Sequence, residues 1–158
     1  MRTSLRVVLA AALTAMASGA SPAQTMDLEL PTLDGKRFFH LSAERGRPVV
    51  INFWGDDCPP CVREMPLLDR MAKLHSEALF VGVSVVPRMN ALNFADSHPV
   101  SYLLLAGPSD PRGTLRRFGN PVGALPHTVV LRPDHSRCAI WTGEIRQDWL
   151  ESALRRCG

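Results

Sequence analysis

No run of about 20 apolar residues occurs in the 158-residue chain, so no segment has the length of a membrane-spanning helix. Basic residues are not clustered either. The 18 Lys and Arg stand against 15 Asp and Glu, a formal charge of +3, and their scatter argues against a nucleic-acid-binding face. Internal repeats, low-complexity tracts and interdomain linkers are all missing. Only four cysteines are present, Cys58, Cys61, Cys138 and Cys157. There is no second Cys-x-x-Cys pair and no histidine close by, as a structural zinc site would require. Val62 follows Cys61 where haem attachment needs a histidine. What remains is a chain 46% hydrophobic and 21% charged, enough for one domain with a packed core.

The first residues set the expected compartment. Met1 to Arg6 is short and basic, Val7 to Ala17 is apolar and alanine-rich, and Ser21-Pro22-Ala23 supplies small residues for cleavage. This is a secretory signal pattern, so a signal peptide over 1–23 and a mature domain over 24–158 are expected, exported to the periplasm. No cysteine follows the apolar run, which excludes a lipid-modified N-terminal cysteine. Removal of Arg2 and Arg6 leaves 16 basic residues against 15 acidic ones, 16 − 15 = +1. An exported chain with four cysteines meets conditions in which disulfides form.

Along the mature chain, Leu28-Glu29-Leu30 and Arg37 to His40 flank the turn pair Asp34-Gly35, which predicts a leading hairpin. Leu41 to Gly46 reads as one helical turn. Val49 to Trp54 is a nearly continuous apolar run, as in a central strand covered on both faces. A helix is predicted from Pro59 to His75, kinked at Pro66. Further strands are predicted at Leu79–Val85, Tyr102–Leu105, Thr128–Leu131 and Ala139–Thr142. Helices are predicted at Met89–Asp96, Gly113–Phe118 and Asp148–Arg156. The order is that of an α/β fold.

The stretch WGDDCPPCVREMP carries the chemistry. Two thiols at the exposed start of a helix suit thiol–disulfide exchange, with Cys58 outside as nucleophile and Cys61 one turn inward as resolving thiol. Metal binding and an inert staple are the alternatives. Together with Gly123-Ala124-Leu125-Pro126, the stretch VVINFWGDDCPPCVREMP resembles the TlpA/ResA-type exported thioredoxin-like proteins. The resemblance implies a thioredoxin fold: a mixed sheet of four to five strands flanked by helices, preceded by the hairpin. It further implies a cis-proline at Pro126 facing the cysteines, with Leu125 pairing with the client chain. Trp54, Asp57 and His127 are then expected to border the site. Asp57 and His127 depart from the Trp and Thr usual in the family, so substrate choice does not carry over. Glu64 matches a glutamate that helps move protons in ResA-type proteins; Asn52, in place of the aspartate of thioredoxin, cannot take a proton.

Pro59 and Pro60 lack the N–H groups that would stabilise a Cys58 thiolate, and Asp56 and Asp57 add negative charge beside it. Both effects favour the disulfide form, hence a pair that donates electrons. One of the acids is also a candidate helix cap. Cys138 and Cys157 lie at the two ends of a strand–helix unit whose lengths nearly cancel, so a structural disulfide is expected there. The expected activity is reduction of disulfides in extracytoplasmic client proteins by a monomer, without an organic cofactor or metal. A membrane thiol donor would resupply the electrons, and apocytochromes, copper-site proteins and general periplasmic thiols are the client classes considered. The rival reading is a copper-handling protein holding Cu(I) through Cys58, Cys61 and His127.

Overall fold

The computed structural model describes residues 25–158. The expected signal peptide lies outside the described residues. Strands β1 (Glu29–Pro31) and β2 (Phe38–His40) pair antiparallel around the Asp34-Gly35 turn. Gly35 adopts a φ of 75°, the left-handed conformation that glycine tolerates without a Cβ penalty. A short 3-10 turn at Leu41–Glu44 leads to β3 (Val49–Trp54), which is buried at every position.

Five strands form the main sheet. These are β3, β4 (Leu79–Ser84), β5 (Leu103–Leu105), β6 (His127–Leu131) and β7 (Arg137–Thr142), in the order β5-β4-β3-β6-β7. The pairs β3–β4 and β4–β5 are parallel, whereas β3–β6 and β6–β7 are antiparallel. Helices α1 (Pro59–Leu74) and α2 (Arg88–Ser97) make the parallel crossovers; α3 (Pro111–Arg117) precedes β6, and α4 (Gln147–Cys157) closes the chain. Helix α1 runs through Pro66 without interruption.

The strand alternation divides the core. Val49, Ile51 and Phe53 pack with Val129, Leu131, Leu115, Phe118 and the leading hairpin. Val50 and Val130 face the opposite layer, with Leu68 and Met71 of α1 and Leu150 and Leu154 of α4. The hairpin also protects the exposed edge of β5. Leu33 N–H donates to Leu104 O at 2.8 Å and Ala106 N–H to Pro31 O at 3.0 Å, leaving less free edge for another chain to pair with. The Cys138–Cys157 disulfide ties the start of β7 to the end of α4.

Candidate active site

Strand β3 ends at Trp54, and Gly55-Asp56-Asp57 carries the chain to the start of α1. Gly55 allows a close approach: a Cβ there would lie 3.2 Å from Leu125 Cδ1. Cys58 occupies the N-cap of α1, with Pro59 and Pro60 next. It is joined to Cys61 in a disulfide, Cys58 being 8% exposed and Cys61 0%. With two prolines in the first turn, the first available amide is that of Cys61, which donates to Cys58 Sγ at 3.3 Å.

Neither acid caps the helix. Asp56 accepts from the Asp57 N–H at 3.0 Å and from Asn90 Nδ2 of α2 at 2.8 Å, while Asp57 is exposed. The cap position belongs to the sulfur, and the two acids directly precede it in the chain.

Glu64 lies one turn beyond Cys61 on the inner face of α1 and is 1% exposed. Asn52 Nδ2 donates to its Oε1 at 2.6 Å, and the Ile145 N–H donates to its Oε2 at 2.8 Å. Asn52 also donates to Thr128 Oγ1 at 3.0 Å, linking β3 to β6 beneath the helix. Burial raises the Glu64 pKa to about 7; the bonds from Ile145 and Asn52 act against this rise, and the neighbouring Glu144 carboxylate adds to it. A carboxylic acid poised there can hold or release a proton near neutral pH.

The Leu125–Pro126 bond is cis and Pro126 is buried. Leu125 packs against the cluster that contains Cys58, Cys61, Trp54 and Met65. Strand β6 begins only at His127, and the backbone N–H and C=O of Leu125 have no partner among the described residues.

Two residues expected at the rim lie elsewhere. His127 pairs with Phe53 across the strands, and side chains of paired residues share a face, so its ring points to the layer opposite α1. Both ring nitrogens are engaged there: Nε2 donates to Phe118 O at 3.1 Å, which leaves Nδ1 to accept from Thr142 Oγ1 at 2.9 Å. Burial holds its pKa below the usual histidine value, against the Phe118 carbonyl and with Arg137 nearby. The three donors of the Cu(I) reading therefore do not converge, and no cluster of three metal-ligating side chains occurs among the described residues. Trp54 is fully buried and stacks on Phe94 of α2 at 5.0 Å, so it supports the site from beneath. Thr128, beside His127, is the β6 side chain that accepts from Asn52, the residue that also bonds Glu64; strict alternation along β6 was the signal for it. The Ile145 amide carried no signal in the sequence.

Comparison with known proteins decides the lineage. Residues 22–136 match the model of the AhpC/TSA family. The chain belongs to that family. The thiol-disulfide oxidoreductase ResA of Geobacillus thermodenitrificans is 29% identical over 170 residues, covering 98% of this chain and 92% of its own. Among solved structures, a thioredoxin-related protein from Neisseria meningitidis serogroup B is 30% identical with a TM-score of 0.70, covering 80% of this chain and 96% of its own. MTB DsbF is 27% identical, also with a TM-score of 0.70, over 83% and 95% of the two chains. The fold of this AhpC/TSA member is the thioredoxin fold, and with the Cys58–Cys61 pair in place its class is that of a thioredoxin-like thiol-disulfide oxidoreductase.

Proposed function

We propose that this protein is an exported reductant that delivers electrons to disulfides of extracytoplasmic client proteins. The observation that carries the direction is the poor support for a Cys58 thiolate: one amide, from Cys61, reaches the sulfur, two prolines remove the others, and the two residues directly before Cys58 in the chain, Asp56 and Asp57, are acids. A thiolate left without stabilisation raises the energy of the reduced form and favours the disulfide, so the reduced pair gives up its electrons readily.

In the reaction, the Cys58 thiolate attacks one sulfur of the client disulfide, forming a mixed disulfide and expelling the client's first thiolate. Cys61, as thiolate, then attacks the Cys58 sulfur and expels the second. Two electrons and two protons pass to the client, and the protein is left with the Cys58–Cys61 disulfide. Glu64 takes the proton of Cys61 and passes it to the departing client thiolate, for which a pKa of about 7 suits it. The client's first thiolate takes from solvent the proton that Cys58 released on ionising. The unpaired backbone of Leu125 offers the client a short strand partner beside the sulfur. The two sulfurs hold the electron pair, so the cycle needs no organic cofactor, and a membrane thiol donor restores the reduced form. Export rests on the signal pattern over 1–23, and the protein acts as a monomer.

Trapping tests this reading. Exported Cys61→Ser should accumulate mixed disulfides with client proteins through Cys58, released by reductant. Absence of any thiol-sensitive adduct, with Cys58 reduced and the protein folded, would contradict it.

A further inference from the structure

A cleft of about 540 Å³ opens between α3 and the loop that carries Leu125 and Pro126. Its walls include Val85 after β4, Arg112, Leu115 and Arg116 of α3, and Pro121 and Val122 of the loop. It adjoins the disulfide's approach, because Val85 and Leu125 both close on Gly55: a Cβ at Gly55 would lie 4.0 Å from Val85 Cγ2 as well as 3.2 Å from Leu125.

Two features of this cleft are not explained by folding. Val122 is 82% exposed, a large apolar side chain held out at the rim. Arg112 and Arg116 lie four residues apart on α3 and so share one face of it. Among the described residues neither guanidinium has an acidic partner. Asp110 is the one acid in the cleft wall, and its Oδ1 is already occupied as the N-cap acceptor of the Gly113 N–H at 2.9 Å. Two arginines therefore line the cleft with a single carboxylate, one oxygen of which is already engaged.

We propose that this cleft docks the client segment flanking its disulfide, with an apolar side chain against Val122 and Leu115 and carboxylates on Arg112 and Arg116. The favoured clients are then proteins whose disulfide is flanked by Asp or Glu, the attraction of Arg112 and Arg116 outweighing the repulsion of Asp56 and Asp57 before the sulfur. The proposal rests on the exchange reading above and adds the client's chemistry. Guanidinium–carboxylate pairs are directional, and paired charge at a docking surface speeds encounter more than it tightens the complex.

The test uses the reduced protein and three disulfide-looped peptides that differ only in flanking residues: Glu, Gln or Lys. At low ionic strength the Glu peptide should be reduced about tenfold faster than the Lys peptide, with Gln between, and the ratio should shrink towards about twofold near 0.5 M salt. Arg112→Glu/Arg116→Glu should reverse the order, and Arg112→Gln/Arg116→Gln should flatten it. Equal rates for the three peptides, or an order that survives the reversal, overturn the proposal. The same wild-type sample is assayed with 2-hydroxyethyl disulfide, which is small and uncharged. Failure to reduce it removes the exchange reading and this proposal together, whereas reduction without peptide discrimination removes the docking proposal alone.

Discussion

Burial brings the Glu64 carboxyl into the neutral range. Its carboxylate accepts two hydrogen bonds, yet desolvation outweighs them and its pKa rises to about 7 from 4.5. A carboxyl group with a raised folded-state pKa stabilises the fold relative to its ionised form below pH 4.5, and that contribution is lost as pH rises through 7. The shift corresponds to at most about 3 kcal/mol. Gln at this position keeps an oxygen for the Ile145 amide, and its NH₂ can donate to Asn52 once the Asn52 amide turns over. Glu64→Gln should therefore gain stability relative to wild type between pH 5 and pH 8, by one to about 3 kcal/mol in urea unfolding. A difference that does not vary with pH would show that Glu64 stays ionised throughout. The two cysteines and Glu64 were legible because they lie in one contiguous motif. Thr128 was not, because a family pattern directs attention to the residue after the proline, while the pleat turns His127 away and brings Thr128 to Asn52.

At the scale of elements, the start of α1 sets the chemistry. A helix N-terminus ordinarily offers several free N–H groups to an anion, and here the second position, Pro60, has none. Pro60→Ala restores that donor without adding charge. It should lower the Cys58 pKa and raise the reduction potential of the pair, by roughly 30 mV for each pKa unit. Equilibration with glutathione checks this, and an unchanged potential would mean that the amide does not reach the sulfur. The elements themselves were largely readable, since β3 and β4 are continuous apolar runs and α1 and α4 follow helical spacing. Boundaries were less so: α3 begins at Pro111, two residues before Gly113, because Asp110 caps it and Pro111 suits the first helical position.

On the scale of the whole molecule, the two disulfides sit at separate places in the fold. Cys138–Cys157 spans 19 positions and joins the last strand to the last helix, in the layer opposite His127. Replacing both by Ser should cost about 3 kcal/mol of stability by the chain-entropy account while exchange at Cys58–Cys61 continues. Loss of exchange in the folded variant would instead make the second pair a relay. The pairing was arguable from strand and helix lengths; the convergence of β3, α1, β6 and the segment before α4 on Glu64 was not, since it joins residues 52, 64, 128 and 145.

The central claim is the direction of electron flow, and the reduction potential of the wild-type Cys58–Cys61 pair tests it most directly. With one amide on the Cys58 sulfur and two acidic residues directly before it in the chain, the potential should lie nearer to that of thioredoxin, about −270 mV, than to that of DsbA, about −120 mV. A value at the DsbA end would contradict the assignment and make the protein an oxidant.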